Sequence, residues 1–333
     1  MSQVLHQAAG DDETPMLAGE VNGPIAWRDE TLDPEAGRIT LDAACRDELR
    51  RAAEEIRANP LPIPCLAPEQ FALGACAAAM RRAKAELESG VGFVLIERLP
   101  VETLEAEEAK ALYWLMGAML ARPVAQNWAG GRLLYDVRDS GKAFGYGVRP
   151  DITNLGQNFH TDNSYNLVAP RYVGLLCLQT AAEGGVSGLV SFLAAHNEMR
   201  RRHPELLARL YRPYLFDRQN EHAPDAPTAL SHPLFALDAG EFQARLSRGR
   251  TLAGYALAGE ALDAEGQAAL DALEAILEAP GMSRDFQFQP GQMQFVHNLW
   301  CGHRRTAFRD GPGQRRHLVR LWLRDHGRRF YNG

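Results

Sequence analysis

Arg316-His317-Leu318-Val319-Arg320-Leu321-Trp322-Leu323-Arg324 is the stretch from which the fold follows. Neighbouring side chains of a strand point to opposite faces, so Arg316, Leu318, Arg320 and Trp322 share one face. So apolar a run belongs inside a sheet, and two guanidinium groups on one of its faces call for anions. Upstream, from Arg132, short apolar runs alternate with Gly, Pro, Asn and Asp, the texture of an antiparallel β domain. Strands are expected over 133–137, 172–179, 189–192, 214–218, 284–289, 292–297 and 317–324, interrupted by helices over 194–211 and 262–277. A jelly roll with helical insertions holds all of these in one unit.

Before the β region, Asp42 caps an expected helix running to 58, where Asn59-Pro60 stops it, and a second helix fits 68–88, ending at Gly90. A buried strand over 92–96 and a third helix over 102–120 follow. The expected class is therefore mainly β with α, a jelly roll with flanking helices and helical insertions. One domain spans 41–333, with a helical layer over 41–120 and a jelly-roll core over about 92–325. Residues 1–40 are rich in Gly, Pro, Asp and Glu and read as a loosely ordered arm with one strand over 24–27.

With 46% hydrophobic and 23% charged residues, the 333-residue chain is globular in composition. Its formal net charge of −6 provides no field for a phosphate backbone, which argues against nucleic acid and for a small-molecule partner. No stretch of about 18 apolar residues and no basic-then-apolar leader is visible, so neither a membrane span nor export is expected, and the cytoplasm is the expected compartment. Only Lys84, Lys110 and Lys142 accompany the arginines, a habit associated with GC-rich bacterial genomes. The five cysteines, Cys45, Cys65, Cys76, Cys177 and Cys301, are scattered and lack a C-x-x-C pair, which gives a zinc or disulfide framework little support. A homo-oligomer is compatible with the sequence.

Asn158-Phe159-His160-Thr161-Asp162-Asn163 carries the chemistry. At the end of a strand, positions i and i+2 share a face, so the His160 imidazole and the Asp162 carboxylate can meet one metal ion. Two further H-x-E pairs, His196/Glu198 and His203/Glu205, fall where a helix is expected; there i and i+2 diverge by about 200°, and they read as solvated helix-face residues. A two-His-one-carboxylate face needs a third ligand from far along the chain. His297, His303, His317 and His326 are the candidates.

His160-Thr161-Asp162, then Gly184-Gly185-Val186-Ser187, then Asn298 and His303 as N-x4-H, then Arg316 and Arg320 as R-x3-R, resembles the TauD/TfdA family of Fe(II)- and 2-oxoglutarate-dependent dioxygenases over about 92–325. The resemblance implies a double-stranded β-helix with Fe(II) held by His160, Asp162 and His303. It implies that Arg316 pairs with the distal carboxylate of 2-oxoglutarate, assisted by Ser187, where the family more often has Thr. Arg320 matches a position that contacts the cosubstrate in some members and an acidic substrate in others. His297 is then a strand residue near or in the pocket, and Asn163, Tyr165 and Tyr135 are candidates for its substrate wall, together with Arg320.

A ligand set of this kind leaves three metal positions on one side, two for 2-oxoglutarate and one for O2. Arg316 suits a far carboxylate because its planar fork makes paired, charge-assisted hydrogen bonds. Asp162 also fills the place a halide would need, which argues against halogenation. The expected activity is hydroxylation of a small anionic or zwitterionic metabolite, or desaturation or cleavage by way of hydroxylation, with succinate and CO2 as products. The alternative is a non-catalytic jelly roll that binds metal and senses a ligand.

Overall fold

The strand His317–Arg324 forms over the expected residues and stands inside the larger of two facing sheets. The computed structural model describes residues 15–142 and 149–325; residues 1–14 of the arm and His326 lie outside them. Seven strands make the larger sheet, in the order Arg38–Ile39, Phe93–Ile96, Met293–His297, Tyr172–Gln179, His317–Arg324 and Arg122–Val124, with Leu134–Val137 also pairing with His317–Arg324. Four make the smaller one, in the order Arg284–Phe286, Ser187–Ser191, Cys301–Arg305 and Gln157–His160, antiparallel throughout.

Strand alternation sorts the core. Val319, Leu321 and Leu323, with Tyr172, Leu176, Met293 and Phe295, turn outward and pack against the helices Ala43–Ala58, Gly74–Ser89 and Ala106–Leu120. Val173, Val296 and Trp322 turn inward and meet Leu189 and Cys301 of the smaller sheet. Nearby, Leu318 and Cys177 meet Phe288 and Val137. These inner contacts close a jelly roll. The outer face of the smaller sheet, through Phe159 and Val190, is covered by the helices Phe192–Arg202, Pro204–Leu210 and Ala264–Leu277 and by the hairpin of Phe235–Asp238 with Glu241–Ala244.

Several expectations change. The helix expected over 194–211 is two helices, broken at His203 (φ −138°, ψ 53°), because Pro204 excludes the residue before it from helical backbone. The helix expected over 68–88 begins as a short 3-10 turn, Pro68–Gln70, and becomes α-helical only at Gly74; that expected from 102 starts at Ala106. Residues 24–27 form a turn instead of a strand. The described part of the arm is also packed down: Trp27 is buried and its indole N–H donates to the Val91 carbonyl, while Asn197 clasps both backbone polar groups of Val21. His196 and Glu198 are buried, His196 among Tyr211, Phe235 and Phe242, so they are not solvated helix-face residues. Cys45 and Cys76, far apart in sequence, bring their sulfurs within 2.7 Å between adjacent helices.

Candidate active site

His160 ends its strand directly opposite His303 in the neighbouring one, so cross-strand pairing sets the two imidazoles side by side with ring centroids 4.4 Å apart. Asp162 lies beyond the strand end, in a turn held from both sides. Its backbone N–H donates to Asn298 Oδ1 at 2.8 Å, and Asn298 Nδ2 donates to the carbonyls of Asp162 and Pro170 at 3.0 and 3.1 Å. Thr161 is pinned to Leu246 through backbone and hydroxyl. The turn places Asp162 Oδ1 at 3.7 Å from His160 Nε2 and 3.6 Å from His303 Nε2.

The donor set suits a divalent transition metal. One ligand atom from each of the three residues lies within 4.8 Å of the others. His160 Nδ1 is 2.8 Å from the Asn158 carbonyl, which leaves Nε2 with its lone pair toward the centre. Burial, then the neighbouring His303, pushes the His160 imidazole down to about 4, so it is neutral at ordinary pH, the form in which it could ligate a metal. The second carboxylate oxygen, Asp162 Oδ2, accepts from the Trp322 indole at 2.6 Å and lies 3.3 Å from Arg320 Nη1, so Oδ1 is the oxygen left to a metal. Burial alone would raise the Asp162 carboxyl, but Arg320 and then His303 outweigh it and hold it well below the usual range.

Arg316 lies beside the Gly184-Gly185 turn, where a Cβ at Gly185 would stand 3.2 Å from its Nε. It is 4% exposed, and its Nη1 makes no hydrogen bond to a described residue. Arg305 shares its surroundings: the two guanidinium groups stack on the Phe308 ring at 5.2 and 4.9 Å from its centroid. Burial, then Arg305, brings Arg316 down to about 9. An unpaired buried cation beside a second one is costly unless an anion completes it, so the residues fit a carboxylate. Ser187, buried, lies opposite Arg305 across the smaller sheet.

The other candidates divide. A cavity of about 470 Å³ opens on His160 and Asp162 and is lined by Asn163, Tyr165, Arg320 and Trp322 among others. Asn163 is left-handed (φ 55°), and its Oδ1 receives Asn166 Nδ2, so it shapes the turn as well as the wall. Arg320 is already engaged, with Nε to Gln126 Oε1 at 2.8 Å, Nη2 to Asp151 at 3.1 Å and Nη1 toward Asp162. Tyr135 is outside this cavity; it lies under the Arg320 guanidinium and lines a neighbouring recess. His297 is also outside it. Its odd position in Met293–His297 turns it away from the barrel interior, onto Trp300 and Tyr172. Reading the sequence missed Arg305, Asp151, Gln126 and Trp322 as site residues; Trp322 carried a signal, being two positions beyond Arg320 on the same face.

A family model described as "Taurine catabolism dioxygenase TauD, TfdA family" matches residues 59–322. The chain is 30% identical over 324 residues to the FR-33289 synthase of Streptomyces rubellomurinus (strain ATCC 31215), covering 95% of this chain and 94% of the relative. It is 25% identical to the taurine hydroxylase-like protein SAT17 of Stachybotrys chartarum (strain CBS 109288 / IBT 7711), covering 92% and 80%. Among solved structures, asparagine oxygenase in complex with Fe(II), 2S,3S-3-hydroxyasparagine and succinate superposes with a TM-score of 0.64 at 19% identity, covering 86% of this chain and 93% of that one, and so shares its fold.

Proposed function

The chain belongs to the TauD/TfdA family of dioxygenases, and from that premise we propose that His160, Asp162 and His303 hold its Fe(II) while Arg316 and Ser187 receive the distal carboxylate of 2-oxoglutarate. It is an Fe(II)- and 2-oxoglutarate-dependent oxygenase. Iron and cosubstrate, once bound, supply the oxidising power by which O2 converts a substrate C–H bond to C–OH, with succinate and CO2 as co-products. The protein's own share is positional. Trp322 and Arg320 hold Asp162 so that one oxygen faces the centre, Asn298 fixes the turn that carries it, and Arg316 and Arg305 offer a buried cationic seat.

The observation that carries this reading is the meeting of the two imidazoles and the single carboxylate, with an unpaired buried guanidinium in the same barrel. Hydroxylation is the reaction proposed, on a small anionic or zwitterionic metabolite: both arginines (Arg149, Arg248, Arg250 and Arg320) and carboxylates (Asp151 and Asp162) line the cavity. Among the described residues no helix is long and apolar enough to cross a membrane. A bacterial cytoplasm is the setting proposed, on the lysine-poor composition and the Streptomyces relative.

The test is anaerobic titration with Fe(II) and 2-oxoglutarate, following the weak visible metal-to-ligand band. The wild type develops the band and, in air, turns over 2-oxoglutarate; Asp162→Ala does neither. Arg316→Ala weakens 2-oxoglutarate binding by about tenfold to a hundredfold, the range for losing a charge-assisted pair. An Asp162→Ala protein with full activity, or an Arg316→Ala protein with unchanged 2-oxoglutarate affinity, would overturn the assignment. Iron binding with no decarboxylation under any condition would point to a binding module instead.

A further inference from the structure

The helical layer behind the larger sheet contains a pair of nucleophiles with no part in the metal chemistry. Cys45 and Cys76 are each the third residue of a helix, Ala43–Ala58 and Gly74–Ser89, and both are buried, at 1% and 0% exposure. Their sulfurs stand 2.7 Å apart, well inside the contact distance of two unbonded sulfur atoms and less than about 1 Å from the length of a disulfide. The other cysteines stand apart from this pair: Cys65 is exposed on the connection between the two helices, Cys177 packs with Leu318, and Cys301 faces the Val91 and Gly92 carbonyls.

Their surroundings hold the two thiols face to face. Glu48, three residues beyond Cys45, accepts from the Ala75 and Cys76 amides with its two oxygens, both at 2.9 Å, so the first helix ties down the start of the second at the level of the thiols. Asp42 caps the first helix through the Cys45 amide at 2.8 Å. With both first turns fixed, the fold has already closed the loop that a bond between the sulfurs would span. Cys76, donating to Cys45, holds the Cys45 thiol below the ordinary range and has its own pushed up, so Cys45 is the readier nucleophile. Ala44 and Gly74, in the same two turns, are exposed, so local opening of one turn admits a molecule the size of a peroxide.

We propose that Cys45 and Cys76 are an oxidative cross-linking site, at which hydrogen peroxide converts the dithiol to a disulfide that staples the first helix to the second. The Cys45 thiolate attacks one peroxide oxygen, the O–O bond breaks, and the departing hydroxide takes up a proton to leave as water, with Cys45 as the sulfenic acid. Cys76 then attacks that sulfur, gives up its proton and expels a second water. Two thiols and one hydrogen peroxide thus become one disulfide and two waters. In a reducing compartment the pair rests as the dithiol, and the bond is a response to oxidant. The loop it closes contains residues 59–73, a connection with only two 3-10 turns of its own, so the effect falls on stability. The inference does not depend on the reading of the triad.

The full chain, freed of metal by a chelator so that peroxide cannot react at the iron site, is treated with hydrogen peroxide and compared with the same protein kept in a dithiol reductant. A mass lower by two hydrogens is expected, with a non-reducing digest that joins the Cys45 and Cys76 peptides. The melting temperature should rise by about 5 °C and return on reduction. Cys76→Ala should abolish both the link and the rise, leaving Cys45 to be trapped as the sulfenic acid, whereas Cys65→Ser should keep both. The digest of the unaltered chain decides the matter even where a variant folds poorly. Cys45 and Cys76 found unlinked after peroxide has consumed the exposed Cys65, or either of them joined to Cys65, overturns the site. So does a link that lowers the melting temperature, because the native geometry would then not accommodate the bond.

Discussion

Asp162 has two oxygens, and its neighbours decide which one is available. The Trp322 indole and Arg320 occupy Oδ2, so the carboxylate is oriented before any metal arrives. Partners of this kind tune metal sites about as strongly as the ligands' own geometry, and their loss costs roughly tenfold to a hundredfold in affinity. Trp322→Phe should therefore weaken Fe(II) binding by about that factor while the protein stays folded, as read by anaerobic metal titration beside a melting curve; unchanged affinity would show that the indole merely packs. Asn298 acts one step further out. Its three hydrogen bonds to the Asp162 backbone and to Pro170 are buried, and Asn298→Ala strands those groups. A loss of about 2–3 kcal/mol in urea unfolding is expected, together with weakened iron binding.

The elements most legible in the sequence are those whose own residues define them. His317–Arg324 and Tyr172–Gln179 appear over the expected residues because each is a largely apolar run bounded by polar turns. The first helix starts where expected because Asp42 caps it, accepting from the Cys45 N–H at 2.8 Å. Asp42→Ala should cost about 1 kcal/mol of stability with no change in iron or 2-oxoglutarate binding. Elements whose stability comes from elsewhere were not legible. The short strand Glu183–Gly184 is held by pairing with Phe308–Arg309, and Arg248–Ala258, with its uncapped and basic start, carries no local signal of where a helix begins. The proposed metal ligands stand in the sequence as a motif, whereas Arg305 and Asp151 enter the candidate site only through tertiary packing. Gly184 shows how such pairing limits sequence: at φ +69° an added Cβ would stand 2.2 Å from the Ala307 carbonyl oxygen. Gly184→Ala should displace the turn beside Arg316, costing about 1–3 kcal/mol of stability and weakening 2-oxoglutarate binding; a variant with wild-type affinity would show that the turn does not position the arginine.

Across the whole molecule, the helical insertion over the smaller sheet encloses imidazoles that must stay neutral for the chain to fold. His196 is fully buried among Tyr211, Phe235 and Phe242, and burial, then Arg200, brings it down to about 4. His232, on the strand Ala229–Pro233, is brought down to about 3 by burial, then by Arg245 and Arg218. In the unfolded chain both take up protons near the ordinary histidine value of about 6.5. Between that value and the folded ones, the unfolded state binds more protons than the folded state, so acidification favours unfolding. The contribution of these two groups is fully present above about pH 6.5 and is lost as pH falls toward about 4, with a slope of at most about 1.4 kcal/mol per pH unit for each. Urea midpoints measured from pH 7.5 down to 4.5 should fall steadily. His196→Leu, which keeps the cavity filled and removes the proton site, should flatten the fall by up to half. Because neither histidine lines the triad cavity, the iron and 2-oxoglutarate band at pH 7.5 should be the same in variant and wild type. If the variant kept the full pH slope, acid sensitivity would have to arise elsewhere, and the insertion would not be the part of the fold that acid opens first.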